Sequence, residues 1–306
     1  MKIFRALVSE SAVAPSNVQV KSSLGEIAKR LGADDMTVTN HYKRLQEAGC
    51  MSVWQLGVNP TFFGYKMLDV MVDVQYEPGK ADMIRKLRLI QGIVVIVNFY
   101  GKALKLIFLY DSDDMRSRTV ELVSRITNAE NIIQSNLNLP MSETKHLTKT
   151  DIALIGTLAK DARLSSTLVS KKSGFSTRTV RNRINKLRRE RTLFTLPSLN
   201  LGDVPGLIPA CLTFSYSRNE LKRSVDQAVR AHFDSNYLWG GFSDPNRSFI
   251  VLSAVKMTDI RIFLEWTKDQ PGIASARIDI PIDMISFPEK FAEILSVNKQ
   301  RVRRNA

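Results

Sequence analysis

The sequence repeats itself at a fixed offset, and this repeat constrains the fold more than any other feature. Residues 27–32 (IAKRLG) align with residues 169–174 (VSKKSG), and residues 37–45 align with residues 179–187, both at an offset of 142. A register that stays constant over so long a stretch indicates duplication of one unit. We therefore predict two copies of one architecture, and we call residues 1–140 copy one and residues 141–288 copy two.

Each copy begins with the pattern of a helix-turn-helix. In copy two, residues 148–151 (TKTD) match a capping box, and apolar residues then recur at helical spacing. A second helix is predicted from its cap, Ser165, through Lys172, and Gly174 closes it where a left-handed residue is favoured. Ser176 or Thr177 caps a third helix. This layout is typical of a helix-turn-helix, and residues 192–201 then predict a strand or wing.

The rest of each copy has the pattern of an α/β sandwich. In copy one the predicted strands are 67–74, 93–99, 104–110 and 131–139, with helices at 78–90 and 113–126. In copy two the strands are 208–216, 237–241, 247–255 and 273–282, with helices at 219–233 and 258–268. This β-α-β-β-α-β order is ferredoxin-like.

The two patterns together define the predicted domains. The fold class is α+β, with two copies of a winged helix-turn-helix followed by a ferredoxin-like βαββαβ domain. The winged helices are predicted at 1–60 and 141–203, the ferredoxin-like domains at 61–140 and 204–288, and a basic C-terminal tail at 289–306.

Basic charge is concentrated in one helix and in the tail. The chain has a net charge of +14, with 44 Lys and Arg residues against 30 Asp and Glu residues. Between Lys171 and Arg191, Glu190 is the only acid among many basic residues. A solvated helix face usually interleaves acids and bases, so this helix predicts contact with a polyanion. The tail, with Lys299, Arg301, Arg303 and Arg304, either contacts phosphates or is a disordered solubilising end.

The third helix of copy two presents side chains suited to the major groove of DNA. Val180, Ile184 and Leu187 share one face, which must pack on the first two helices. The opposite face carries Arg and Asn, which pair with guanine and adenine edges, and the helix N-terminus suits phosphate oxygens. The predicted DNA-binding residues here are Ser176, Thr177, Arg178, Arg181, Asn182, Asn185, Lys186 and Arg189. Arg183 lies at the edge of the packed face, so we interpret it as a clamp on the DNA backbone.

The corresponding helix of copy one has the same packed face but little net charge. Asp34 and Asp35 lie at its N-terminus, where they would repel a phosphate. The predicted DNA-binding residues of copy one are Thr39, Asn40, Lys43 and Arg44. We expect these contacts to be weaker than those of copy two, and the alternative of a purely structural or dimerising winged helix stays open.

Other features limit the class of protein. Cys50 and Cys211 are far apart and have no C-x-x-C partner, so we interpret them as small buried side chains and predict no metal site. No apolar run approaches the ~18 residues of a membrane span, and the first ten residues lack a signal-peptide pattern. We therefore expect a cytoplasmic protein that contacts no membrane and holds no cofactor.

Residues 147–163 and 174–187 resemble the opening helix and the recognition helix of the Lrp/AsnC (feast/famine) transcriptional regulators. The resemblance implies a sequence-specific regulator that binds double-stranded DNA and assembles through its RAM/AsnC-type α/β domains. Family members usually have one unit per chain, so the tandem implies a homo-oligomer or an intramolecular pseudo-dimer. Many members bind an amino acid, but residues 98–103 and 240–245 lack the acidic pair of the family's effector loop. We therefore assign no residues to an amino-acid-like effector.

Tandem units of this architecture also resemble siroheme decarboxylases, which need His, Tyr and Arg near a tetrapyrrole. The three histidines here, His41, His146 and His232, are predicted on the recognition helix, in a linker and at a helix end. No nucleophile elbow, phosphate loop or metal-ligand spacing appears. We therefore predict that the chain is not an enzyme and keep a siroheme-decarboxylase-like enzyme as the alternative. A third alternative is an interaction hub whose winged helices bind protein.

Overall fold

The computed structural model describes most of the chain, namely residues 2–9, 24–75, 77–129, 131–137, 141–144, 146–159, 161–162, 164–240, 244–287, 289–290 and 293. The basic side chains predicted to form the tail, Lys299, Arg301, Arg303 and Arg304, lie outside the described residues. The described residues form two compact units. The helix-turn-helix unit is drawn from residues 1–66, 139–199 and 287–306, and the sheet unit is drawn from residues 67–138 and 200–286.

The helices and strands follow the predicted order. Copy one contains α1 (Lys2–Ser9), α2 (Leu24–Leu31), α3 (Asp35–Glu47), β1 (Met51–Val58), β2 (Lys66–Asp73), α4 (Lys80–Leu87), β3 (Ile93–Phe99), β4 (Ala103–Tyr110), α5 (Asp113–Thr127) and β5 (Ile132–Leu137). Copy two contains α6 (Lys149–Leu158), α7 (Ser166–Ser173), α8 (Thr177–Arg189), β6 (Leu193–Leu199), β7 (Ile208–Tyr216), α9 (Lys222–His232), β8 (Tyr237–Gly240), β9 (Arg247–Ala254), α10 (Met257–Lys268), β10 (Ile273–Asp279) and β11 (Pro281–Ser286). The predicted fold class is confirmed, whereas α1 and a separate β11 were not predicted.

The helix ends of copy two form where the sequence provides caps. Thr148 and Asp151 form a complete capping box at the start of α6. Ser165 caps α7, and Gly174 ends that helix with φ at 76°, a conformation that glycine adopts without strain. Ser176, and not Thr177, is the cap of α8, because its Oγ accepts the N–H of Thr179 at 3.1 Å. Local sequence therefore fixes the bounds of the helix-turn-helix.

The strand that follows each helix-turn-helix pairs with the equivalent strand of the other copy. β1 and β6 are antiparallel, and Trp54 lies opposite Pro197 while Gln55 lies opposite Leu196. The offset of the repeat maps Trp54 onto Leu196 and Gln55 onto Pro197. The repeat therefore exchanges these two pairs, so a pseudo-two-fold axis passes between them. The segment predicted as a strand or wing is thus an interface strand between the two copies.

A shared core lies beside this strand pair. Its buried members come from both copies, and Phe62 and Phe63 of copy one pack against them; the members are Val58, Leu147, Ile155, Leu187 and Leu193. Asn59, only 1% exposed, donates its Nδ2 to the Arg191 carbonyl at 2.8 Å. Separating the copies would expose this apolar surface to water, which costs about 25 cal/mol of free energy for each Å² exposed. Residues of copy one therefore complete the core of the helix-turn-helix of copy two.

In the sheet unit each copy forms a four-stranded antiparallel sheet. The strand order in copy two is β10-β7-β9-β8, and copy one has the equivalent order β5-β2-β4-β3. β11 leaves copy two and pairs with β3, which makes the sheet of copy one five-stranded. The prediction of one strand over 273–282 is therefore wrong. The chain changes its pairing partner at Ile280, whose carbonyl accepts the N–H of Tyr100 at 2.8 Å.

Polar side chains join the two sheets. Lys105, on β4, places its Nζ 2.6 Å from Asp69 and 3.4 Å from the centre of the Phe249 ring. Arg277, on β10, donates two hydrogen bonds to Asp73 at 2.7 and 2.8 Å. Burial raises the pKa of Asp69, while Lys105 opposes this shift. The sheets are thus linked by paired charges as well as by apolar contacts.

Both cysteines are buried, as predicted. Cys50 and Cys211 make no disulfide, and burial raises the pKa of the Cys211 thiol to about 12. Among the described residues, no group of three His, Cys, Asp or Glu side chains is arranged to hold a metal ion. No helix in the described part of the chain combines the length and the apolarity needed to cross a bilayer.

Candidate nucleic-acid interface

α8 exposes the polar residues that its sequence pattern places outward. Val180 and Leu187 are fully buried, and Ile184 is half-buried, where α8 packs on α6 and α7. The side chains on the opposite face are exposed, with Thr177 half-buried; the exposed set is Ser176, Arg178, Arg181, Asn182, Asn185, Lys186 and Arg189. The structure therefore brings all eight predicted residues of copy two to one helix.

The N-terminus of α8 carries no negative charge. Its cap, Ser176, is neutral, and its 13 residues include six basic and no acidic side chains. The positive end of the helix dipole therefore lies beside Arg178, and both favour an anion. Arg178, Arg181 and Arg189 make no ion pair within the described part of the chain, which leaves their charges to face solvent.

Arg183 does not belong to this surface. Its Nε donates to Asp151 Oδ1 at 2.8 Å, and a terminal nitrogen donates to Asp151 Oδ2 and, at 3.0 Å, to Thr148 Oγ1. Burial opposes ionisation of Asp151, but the hydrogen bonds from Arg183 and Thr148 outweigh it and hold its pKa below the usual value. The interpretation of Arg183 as a DNA clamp is wrong. It is instead an anchor that ties α8 to the capping box of α6.

Two further basic residues of α8 have acidic neighbours. Lys186 lies 3.7 Å from Glu190, which also accepts a hydrogen bond from Thr144 at 2.5 Å. Burial lowers the pKa of Arg188, and the charge of Glu26 on α2 opposes that shift. Glu190 is therefore not the only acid that compensates this helix. Inspection of neighbouring residues in the sequence could not identify Asp151 and Glu26 as acids that face Arg183 and Arg188, because both acids lie far from α8 along the chain.

α3 repeats the geometry of α8 with different chemistry. Val38, Tyr42 and Leu45 are buried. Of the predicted residues of copy one, Asn40, Lys43 and Arg44 are exposed and Thr39 is half-buried. Met36, at the position equivalent to Arg178, is 64% exposed. The structure thus places these four residues on one helix as well, next to an apolar side chain.

The N-terminus of α3 already holds an anion. Asp34 caps the helix, and its carboxylate accepts the N–H of Thr37 at 2.8 Å. Hydrogen bonds from the N–H groups of Thr37 and Met36 lower the pKa of Asp34. A second carboxylate, Asp35, follows it, and the two occupy the positions of Ser176 and Thr177 in the repeat. A DNA phosphate that would be attracted at α8 would be repelled here.

The three histidines lie on different elements, as predicted. His41 is on α3, and burial lowers its pKa. His146 is exposed before α6. His232, at the end of α9, stacks on Trp266 with ring centres 3.7 Å apart.

A buried lysine closes the turn between β3 and β4, which sequence reasoning did not detect. Lys80, 6% exposed, donates its Nζ to the carbonyls of Phe99, Gly101 and Ala103 at 2.6, 2.7 and 3.0 Å. In copy two, residues 241–243 of the corresponding turn lie outside the described residues. The repeat offset, which places a lysine at 80 and at 222, is the signal that could have found it.

The chemistry and geometry of this surface define a class of DNA-binding domain. The sequence profile of the AsnC-type helix-turn-helix domain matches residues 147–188. That segment is therefore an AsnC-type helix-turn-helix domain, and the resemblance to the Lrp/AsnC regulators is confirmed. A search of curated protein sequences found no match.

Three solved structures illustrate what this chain is similar to. The siroheme decarboxylase NirDL superposes with a TM-score of 0.54 and 9% identity, covering 98% of this chain and all of its own. A transcriptional regulatory protein of the AsnC family from Pyrococcus furiosus is 21% identical, with a TM-score of 0.33 over 48% of this chain and 96% of its own. LrpC from B. subtilis is 19% identical, with a TM-score of 0.33 over 46% of this chain and 97% of its own.

The full-length match corrects one prediction. The lack of familiar catalytic motifs and of clustered histidines in the sequence predicted that the chain is not an enzyme. An enzyme has the same tandem fold over nearly the whole chain. The prediction that the chain is not an enzyme is therefore wrong, because an enzyme uses this scaffold. At only 9% identity, the catalytic motifs of that enzyme need not be recognisable in this sequence.

Proposed function

We propose that the chain is a transcriptional regulator that binds specific sites in double-stranded DNA, with α8 in the major groove. The observation that carries this proposal is the exposed basic face of α8, within the segment that matches the AsnC-type helix-turn-helix. An anchored helix with unpaired arginines outward and no acid of its own has the charge that a duplex requires.

The residues of α8 divide into two roles. Arg178 and Arg181 pair with the O6 and N7 atoms of guanine, and Asn182 and Asn185 pair with adenine. Ser176, Thr177, Lys186 and Arg189 contact phosphate oxygens, which position the helix without reading sequence. In copy one, Thr39, Asn40, Lys43 and Arg44 make a second and weaker set of contacts.

The sheet unit mediates assembly in this proposal. It exposes large apolar side chains, among them Leu89, in the turn after α4, and Ile262, on α10, which are 84% and 53% exposed. Leu89 and Leu122 also line a groove of about 430 Å³ between the end of α4 and α5. Apolar surface of this kind supports contact between chains. We assign no effector residues.

Titration of genomic fragments in a mobility-shift assay tests the DNA-binding role. Wild-type protein should select discrete fragments, and Arg178→Ala/Arg181→Ala should lose them. The matched control is Arg85→Ala/Arg118→Ala, which removes two exposed arginines from the sheet unit and should bind normally. If wild-type protein binds no fragment even in dilute salt, the proposal fails.

A second candidate is decarboxylation of a siroheme-like tetrapyrrole, and the full-length fold similarity to NirDL supports it. One of the NirDL structures holds an iron-uroporphyrin III analogue. Adding siroheme to the purified chain should then give a shifted Soret band and release CO₂ under reducing conditions. An unchanged spectrum at saturating siroheme would exclude this activity. The same sample, with its ratio of absorbance at 260 and 280 nm, also reports copurified nucleic acid.

A further inference from the structure

The two helix-turn-helix segments are parts of one compact unit and not modules on a tether. β1 and β6 pair along their length, and residues of both copies share one buried core. The N–H of Asn59 donates to the Thr192 carbonyl at 2.7 Å, and the N–H of Ser142 donates to Thr61 Oγ1 at 3.1 Å. The unit therefore contains two recognition helices related by the pseudo-two-fold axis between β1 and β6.

We infer that a single chain occupies a complete operator and that this operator is asymmetric, with two half-sites of different base composition. The inference rests on the proposed function. Dimeric helix-turn-helix proteins bind half-sites one helical turn apart, about 34 Å, and the symmetry of the operator mirrors that of the protein. Here the axis relates helices of unlike sequence, so the two half-sites differ and the operator is not palindromic.

The outward residues specify how the half-sites differ. Asn40 and Asn182 occupy the same position in the repeat, so both half-sites carry an adenine there. Arg178 and Arg181 of α8 correspond to Met36 and Thr39 of α3. Arginine selects guanine, whereas the apolar parts of Met and Thr contact the methyl group of thymine.

The α8 half-site therefore contains G·C pairs where the α3 half-site contains A·T pairs. The N-termini of the helices add a difference in affinity. At α8 the cap is Ser176, and a phosphate meets neutral or basic groups, whereas Asp34 and Asp35 stand at the same place on α3. The α8 half-site supplies most of the binding energy and tolerates fewer base changes.

Selection from a pool of random duplexes, followed by native mass spectrometry of the selected complex, tests this architecture. We expect one chain per duplex and a non-palindromic consensus with one G·C-containing half. A palindromic consensus, or two chains on one minimal duplex, would overturn the inference and leave the proposed function intact. Failure to select any duplex would overturn the proposed function itself.

A pair of substitutions makes the test sharper. Met36→Arg/Thr39→Arg gives α3 the two arginines of α8, and we expect the selected consensus to become more nearly palindromic. The control is Met257→Arg/Thr258→Arg, which adds the same charge at exposed positions of α10 and should leave the consensus unchanged. The Met36→Arg/Thr39→Arg variant should have the helix content of wild type. If it then selects the same A·T-rich half-site as wild type, the result would contradict base readout by α3.

Discussion

α3 and α8 pack on their neighbours through equivalent positions, but their outward faces differ in charge. Val38 and Val180 are both fully buried, and Leu45 and Leu187 repeat the contact two turns later along the face. α8 carries six basic residues and no acid, whereas α3 carries two basic and two acidic residues. The comparison teaches that core packing restricts which residues one helix face accepts, while the outward face of a duplicated helix changes freely with its ligand.

The largest expected effect on DNA affinity comes from substitutions on α8, the more basic of the two helices. Arg178→Ala/Arg181→Ala should weaken binding to a selected operator at least about 30-fold, because each of the two bidentate pairs contributes about 1–3 kcal/mol. Asn40→Ala/Lys43→Ala should weaken binding far less. Mobility-shift titrations of both variants on the same duplex measure the difference. Equal losses would show that the two helices contribute alike.

The second prediction concerns the anchor that only α8 has. Asp151→Ala removes a 1%-exposed carboxylate that pairs with Arg183 and closes the capping box, so unfolding free energy should fall by about 2 kcal/mol or more. In copy one, Ser9 and His41 occupy these positions, and His41→Ala should cost less. Denaturant titrations measure both. A loss for Asp151→Ala no larger than that for His41→Ala would contradict the anchoring role.

The anchor also predicts a pH dependence. The pKa of Asp151 is lower in the folded protein than its usual value of 3.8, so its stabilising effect is complete above that value. The effect is lost as the pH falls below 3.8 through the folded pKa. Wild-type stability should therefore decrease more steeply than that of Asp151→Ala in this acid range, and parallel curves would argue against the pair.

The third prediction sharpens the comparison by converting one N-terminus into the other. Asp34→Ser/Asp35→Thr gives α3 the cap of α8 and should raise DNA affinity about five- to tenfold at low salt, since charge at a helix terminus acts on a nearby anion. Asp113→Ser/Asp114→Thr removes two acids from the start of α5 and is the control. Similar gains for both variants would indicate a general effect of net charge.

The smallest expected effect separates two phosphate contacts on α8. Arg189→Gln should reduce the slope of log affinity against log salt by about 0.9, the value for one lost phosphate contact. Lys186→Gln should reduce it less, because Lys186 lies 3.7 Å from Glu190 and is already partly compensated. Titrations at several salt concentrations provide the slopes. The reverse ranking would mean that Glu190 does not restrain Lys186.

Local features of the fold could be predicted from the sequence because they depend on neighbours along the chain. The helix caps at Ser165 and Ser176 and the inward position of Val180 follow from short patterns. Periodicity also separates the outward face of α8 from its packed face, which is why the eight predicted residues of copy two lie on one helix.

Features that depend on distant partners could not be predicted in this way. No residue near Arg183 in the sequence indicates that its partner is Asp151. Periodicity likewise does not predict which strands pair with β1 and β11. Pro281 was the one local signal, because proline in a sheet favours a strand's first residue or an edge. The exclusion of an enzyme had the same weakness, since motif spacing is a local test and catalysis on this scaffold is not bound to a familiar motif.

The exchange of β11 makes copy one dependent on the end of copy two. β3 (IVVIVNF) is apolar, and until β11 emerges from the ribosome one of its edges has no strand to pair with. Exposed apolar edges of this kind invite pairing with other nascent chains. Premature termination before Pro281 would therefore harm the earlier copy, because the strand that covers the edge of β3 lies in the later copy, far along the chain.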